Sequence, residues 1–254
     1  EQVCRKERQY GMKIREIAET KRKAKEWFAS YTADYDMEDP KIALKAVHTY
    51  HVAELCQTIA ESLALNEVEC MAAWLSGLLH DVGRFEQIRR FNTFSDADSI
   101  DHALLSTEIL FGTKEDASCG RIRQVILDPS WDIYLYKAIK YHSAYRLPPD
   151  LSEMEKTYCQ ILRDADKIDI FRVNLETPME DIYNTTTETL KQAEVTSEVL
   201  QAFKERHAVL RALKKTPVDN VVGHISLYYE LVYPKSQICV QSLGFGYRVA
   251  YVDQ

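Results

Sequence analysis

Seven histidines occur in the 254-residue chain, at positions 48, 51, 80, 102, 142, 207 and 224. Several stand where a solvent-seeking side chain should not be. His48 is four, seven and eleven residues before Val52, Leu55 and Ile59, so its imidazole shares the apolar face of an amphipathic helix. His102 lies on the stripe of Leu105 and Ile109, His142 on that of Leu135, Ala138 and Ile139, and Asp166 on that of Leu162 and Ile170. His80 and Asp81 are adjacent, about 100° apart around a helix, and meet at one point only near a helix end; Gly83 is expected to supply that end. A buried Asp or His without a partner is costly, and helical proteins commonly satisfy such groups with a metal site between facing helices. Cysteine is absent from the set, and imidazole with carboxylate suits Fe, Mn, Co, Zn or Ni better than a thiolate-type structural zinc. The other reading of the same residues is a group of buried polar side chains that bond only to one another.

The elements that must position these groups are helices. Residues 12–29 place Ile14, Ile17, Ala18, Ala24 and Phe28 at helical steps, with the basic run 21–25 as a solvated face. A second helix is expected at about 41–64 after Asp39-Pro40. A third begins at Asn66, an N-cap followed by Glu67 and Glu69, and ends near Gly83. Residues 91–99 are polar and read as a loop before a helix at about 100–111 that Gly112 stops. Further helices are expected at about 119–127, 131–143, 152–170, 197–213 and 217–232, and the last twenty residues leave a short strand and an irregular tail open. Pro148-Pro149 and Pro178 break the pattern without a Gly/Ser-rich linker, and nothing repeats at a fixed period, so one helical domain over residues 1–254 is expected.

Composition agrees. Apolar residues make up 46% and charged residues 28% of the chain, enough for a core. Glycine (8) and proline (7) are too scarce for a turn-rich β fold, so the expected class is all-α. A net charge of −7 repels a long polyanion, which speaks against a nucleic-acid partner. No apolar run suits a membrane span. The six cysteines are scattered with no CxxC pair and read as reduced core residues of a cytoplasmic protein.

Taken in order, His48 in HTYHVAEL, His80-Asp81 in LLHDVGRF and Asp166 in ILRDADKIDIF resemble the HD-domain superfamily of metal-dependent phosphohydrolases, over about residues 41–172. The dipeptide alone is weak, but the ordered set with these helical contexts is specific. The segments HDVGRFEQIRRF, FNTFSDADSIDHA and TPVDNVVGHISLYYELVYP resemble a largely uncharacterised bacterial HD-domain group and carry the likeness over most of the chain. The resemblance implies a helical bundle with a metal site in its core, flanked by N- and C-terminal helical extensions. It also implies two divalent transition-metal ions bridged by Asp81, one completed by His48, His80 and Asp166 and the other by His102 and His142, as in the binuclear branches. Two departures matter. KYHSAYRLPPD stands where the cyclic-dinucleotide branch has a double His and a GYP signature, so a cyclic di-GMP substrate is not implied. Arg84 stands three residues after Asp81, where several HD enzymes have Lys, which keeps the charge but changes its geometry.

The activity so implied is hydrolysis of a small phosphate mono- or diester, a nucleotide foremost, by water activated between the two ions. Asp81 is the expected catalytic bridge, with Arg84 and Lys167 stabilising the developing charge and touching the substrate. His51, where relatives more often have Arg, is expected to support the site or face solvent near the substrate rather than bind metal, and is a weak candidate for the leaving-group acid. Arg89 and Arg90 read as a solvated face, and His207 and His224 as satisfied core histidines. Some HD relatives use the same six ligands as a di-iron oxygenase that cleaves a C–C or C–P bond, which is the alternative activity. A non-catalytic nucleotide sensor is a third reading, at odds with the complete ligand set.

Overall fold

The computed structural model describes residues 2–113, 116–183 and 185–244, apart from the side chains of 2–13, 117 and 181. It is all-α, with no β-strand among the described residues. Two compact units divide the chain, residues 1–163 and 164–254, and the division falls within one helix.

The first unit opens with α1 (Gln2–Thr32). Its inward face is carried by Ala24, Phe28 and Tyr31, all buried, whereas Ile14 and Ala18, expected on the same stripe, are exposed. Asp39 caps α2 (Pro40–Ser62) by accepting from Lys41 N, with Pro40 preset for the first turn. Asn66 and Glu69 close a reciprocal capping box on α3 (Glu67–Leu79). Helices α1 and α2 both pack on α3, whose residues Cys70 to Leu79 are all buried. Backbone contact between α2 and α3 depends on Gly77, where an added Cβ would stand 2.6 Å from Ala53 Cα.

The chain then breaks at His80-Asp81 and restarts as α4 (Val82–Phe91), a helix not expected from the pattern. Gly83 is therefore no terminator: it lies in the first turn of α4, where its N–H donates to Ser106 Oγ at 2.9 Å and the bare Cα lets α4 approach α5 (His102–Phe111). Val82, Phe85 and Ile88 turn inward from α4, and Tyr31 Oη of α1 donates to Val82 O at 2.9 Å. Helix α4 ends at Asn92, left-handed with φ 53°, and the polar loop runs to Asp101, which caps α5 through Ala103 N and Leu104 N. Gly112, with φ 87°, stops α5 as expected. The helix expected at 119–127 is two 3-10 turns, Ala117–Cys119 and Ile122–Gln124, on either side of Gly120. Helix α6 (Asp132–Tyr141) packs on α5 and α3, and the first residues of α7 (Glu153–Glu176) complete the unit. Phe28, Trp74, Leu75, Leu78, Phe85 and Ile139 are among the side chains of one buried cluster.

In the second unit, the remainder of α7 is followed by α8 (Met179–Tyr183), α9 (Thr187–Gln192), α10 (Ser197–Lys204), α11 (Pro217–Ser226) and α12 (Pro234–Ser242). The expected helices at 197–213 and 217–232 are shorter than read, because Arg206 takes φ 59° after α10 and a 3-10 turn, Leu227–Glu230, replaces the end of the second. Helices α8, α9 and α12 have no counterpart in the sequence reading. Val199, Phe203, Val209 and Val222 form the unit's own apolar cluster. Buried Asp219 accepts from the N–H of Thr196, Lys215 and Thr216 and from Thr196 Oγ1. Asp164 accepts from Val232 N and Tyr233 N just before α12. The strand-or-tail question for the C-terminus is answered as helix through Ser242, while 245–254 lie outside the described residues.

Candidate metal centre

Four of the expected ligands sit at helix ends. His80 is the C-terminal cap of α3, Asp81 precedes α4, His102 is the first residue of α5, and His142 caps the end of α6. His48 alone among the expected ligands of the first unit lies mid-helix, on α2. All five are buried, and the four imidazoles follow one another in ring contact, with centroid separations of 5.4 Å for His48–His80, 5.0 Å for His80–His142 and 4.9 Å for His102–His142.

The two oxygens of Asp81 face different pairs of histidines. Oδ1 lies 3.5 Å from His102 Nε2 and 3.6 Å from His142 Nε2, and those two nitrogens are 3.0 Å apart. Oδ2 lies 3.4 Å from His80 Nε2 and 3.8 Å from His48 Nε2. Donors about 2.1 Å from one ion, at 90° to 120° to each other, are themselves separated by about 3.0 to 3.6 Å, so the Oδ1 triad has the spacing of a coordination shell.

Proton placement points the same way. His142 Nδ1 donates to Ile139 O at 2.6 Å, His80 Nδ1 to Gly77 O at 2.7 Å, and His102 Nδ1 to the Asp96 carboxylate at 2.8 Å. Each partner can only accept, so Nδ1 carries the hydrogen and the Nε2 of a neutral ring presents its lone pair. Burial pushes His102 down to about 4, which keeps its ring neutral near pH 7. For Asp81, burial acts to raise the carboxyl, but the Lys45 ammonium and then His80 and His142 hold it well below the usual carboxylate range. Two imidazole lone pairs and a carboxylate oxygen thus converge, and buried Asp81 Oδ1 has no hydrogen-bond partner. A hydrogen bond between the two rings would satisfy only one of these acceptors and would need a doubly protonated imidazole. A divalent cation satisfies all three, so the donor set fits a metal.

Other expected residues are placed as follows. Arg84 is largely buried, and its Nη1 donates to Gln87 Oε1 and Phe94 O, each at 2.7 Å, and to Asp96 Oδ1 at 2.8 Å. His51 is exposed. Arg89 and Arg90 are exposed and both pair with Glu86. Asp166, half-buried, and Lys167, buried, lie on the part of α7 that belongs to the second unit. His224 Nδ1 meets Tyr183 Oη at 2.9 Å, a satisfied histidine as expected. His207 is exposed rather than in the core, because α10 stops before reaching it.

Three contributors escaped the sequence reading. Lys45 Nζ bonds Asp81 Oδ2 at 2.6 Å; its position three residues before His48, on the same helical face, was the available signal. Asp96 supports His102 from a loop, where no periodicity marks it. Arg163, the first residue of RDADKID, donates Nη1 to Tyr141 O and His142 O at 3.2 and 3.4 Å and also to Ala144 O, tying down the helix end that carries His142.

No helix among the described residues is long and apolar enough to cross a membrane. Cys56, Cys70 and Cys159 are buried free thiols, whereas Cys119 is exposed and Cys239 half-buried, so these two are not core residues as expected. No curated protein and no solved structure matches the chain. Residues 46–171 match the family model of the HD domain, a span that takes in the whole set of expected ligands. The chain belongs to the HD-domain superfamily, whose members are in general metal-dependent hydrolases.

Proposed function

We propose that this protein is a phosphohydrolase that cleaves a small phosphate mono- or diester, foremost a nucleotide, with two divalent transition-metal ions. The observation that carries the reading is the split of Asp81, whose two oxygens each face a different pair of imidazoles. In this assignment His102 and His142 hold one ion. His48 and His80 hold the other, with Asp166 joining them on the strength of the RDADKID motif. With metal so held, the site would supply a bound water with its pKa lowered toward neutrality and would draw charge from phosphoryl oxygens. The carbonyls of Gly77 and Ile139 keep His80 and His142 in the tautomer whose Nε2 is a donor to metal. Lys45 keeps 16% of its side chain exposed, so its ammonium can turn from Asp81 toward a phosphate oxygen, and Lys167 is assigned the same task. His51, exposed one turn from His48, is assigned to the substrate's approach. A small substrate suits the net charge of −7, and the buried free thiols suit a cytoplasmic protein.

The test is an anaerobic screen of protein loaded with Mn²⁺ or Co²⁺ against nucleotide mono- and diesters, with long single-stranded DNA and RNA in parallel. Phosphate release from small esters is expected, and it should be lost in His80→Ala and Asp166→Ala while helical circular dichroism persists. Cleavage of the long strands as fast as of mononucleotides would refute the small-substrate assignment. Inactivity toward esters, with substrate-dependent oxygen uptake by an iron-loaded form, would replace the hydrolase with the di-iron oxygenase.

A further inference from the structure

The polar loop between α4 and α5 converges on one carboxylate. Asp96 accepts from His102 Nδ1 at 2.9 Å on Oδ1 and 2.8 Å on Oδ2, and on Oδ1 also from Arg84 Nη1 at 2.8 Å and Gln87 Nε2 at 3.0 Å. Gln87, fully buried, also reaches Ser99 Oγ at 2.8 Å and Ile100 O at 3.0 Å. Arg84 Nη1 holds Phe94 O, and the Phe94 ring lies 5.7 Å from Lys45 Nζ and 6.0 Å from the Arg84 guanidinium. Arg84 and Gln87, one turn apart on α4, thus fix the loop and its carboxylate against the ring of His102. A carboxylate on the far nitrogen of a metal-binding imidazole fixes the ring's tautomer and orientation and raises its basicity.

We infer that Asp96 is the positioning residue of the Asp81/His102/His142 metal position, and that Arg84 and Gln87 act through Asp96 rather than on the substrate. This rests on the two-ion reading above. It gives Arg84 a different task from a phosphate clamp: its Nη1 serves three acceptors within the protein, two of them on the loop. It also makes the two metal positions unequal, because His80 is oriented by a backbone carbonyl of its own helix while His102 depends on a side chain from a separate loop. Loss of the loop's hold on Asp96 weakens one position and spares the other.

The test titrates metal-free protein with Mn²⁺ alone, by calorimetry and electron paramagnetic resonance. In Asp96→Asn, one of two Mn²⁺ affinities should fall roughly 10- to 100-fold, the other should hold within about twofold, and the spin-coupled pair signal should give way to that of an isolated ion. In a His102→Ala background, Asp96→Asn should change nothing further, since its route of action is gone; a merely structural contribution would persist there. Arg84→Ala should weaken the same position, and Arg84→Lys should restore part of the loss. If Asp96→Asn folds poorly by circular dichroism, Gln87→Met, which loosens the carboxylate without removing it, should give a smaller loss at the same position. Equal weakening of both ions, no weakening, or an undiminished effect in the His102→Ala background would overturn the inference. Uptake of a single ion by the wild type would sink the two-ion reading; this inference would then stand or fall on whether that ion responds to both Asp96 and His102. Normal two-ion binding without ester hydrolysis would sink the hydrolase assignment alone.

Discussion

Gly83→Ala separates two forces of opposite sign. Gly83 lies within α4, where alanine is the better helix former by up to about 1 kcal/mol, so propensity alone says the variant gains stability. The packing says otherwise. A Cβ at residue 83 would stand 2.5 Å from His102 O, 2.7 Å from Ser106 N and 2.8 Å from Ser106 Oγ. Two of these are backbone atoms of α5 and cannot rotate away, so reaching an ordinary contact of 3.4 Å needs the helices to part by roughly 0.9 Å. Overpacking of this kind costs about 1 to 3 kcal/mol. Less the propensity gain, the net loss is about 0 to 3 kcal/mol, and at about 2 to 4 °C per kcal/mol for a chain of this size the melting temperature should fall by up to roughly 12 °C. The metal position should suffer more, because Asp81 precedes α4 and His102 begins α5, while metal–ligand distances tolerate only about 0.2 Å. Mn²⁺ affinity at the Asp81/His102/His142 position should drop by roughly tenfold or more. Calorimetric melting of metal-free protein and Mn²⁺ titration measure the two effects. An equal or higher melting temperature with unchanged Mn²⁺ affinity would refute the claim that backbone contact at Gly83 sets the register of α4 against α5.

Three further outcomes are expected. Asp81→Ala should lose both ions by elemental analysis, whereas His142→Ala should lose one; retention of an ion by Asp81→Ala would deny the bridge. Arg163→Met should release the carbonyls at the end of α6 and cost about 1 to 2 kcal/mol in urea unfolding, together with metal affinity; a variant as stable as the wild type would show the cap to be idle. In the second unit, hydrogen bonds from Thr196 and the backbone of residues 196, 215 and 216 outweigh burial and hold the Asp219 carboxyl below its ordinary range. Its stabilisation is therefore complete above the unfolded-state value of about 4 and is lost as pH falls below it. Asp219→Asn should cost about 2 to 3 kcal/mol at pH 7 and about 1 kcal/mol less at pH 3, since each pH unit below the unfolded-state value removes about 1.4 kcal/mol; a penalty independent of pH would contradict this.

The helical class and the inward placement of His48 and His102 were legible because both are written in apolar periodicity: His48 shares a stripe with Val52 and Ile59, and all three are buried. The break at His80-Asp81 was not, since Val82, Phe85 and Ile88 continue an apolar pattern that runs straight through it, and glycine was taken as a stop where it serves close packing. His102 illustrates the limit of stripes. It belongs to the face of Leu105, yet its orientation comes from Asp96 in a loop, and loop geometry leaves no period to read. The short helices of the second unit were missed because α8 and α9 span too few turns to show amphipathicity. Lys45 shows in the sequence only as a cation one turn before His48, and its pairing with Asp81 on another element depends on tertiary distance.

Placing ligands at helix ends has a thermodynamic consequence. No two of the proposed ligands belong to the same helix, and none form the i, i+4 pair that lets a short peptide chelate an ion by itself. The unfolded chain therefore offers little competing affinity, and nearly all the free energy of metal binding falls on the assembled bundle. Metal bound there would enter after the helices have docked and would act as a latch on their ends rather than as a template for their formation. Chelation should free the helix termini around the centre to exchange their amide hydrogens while the helix interiors stay protected, so the protein can give up and regain its metal without refolding.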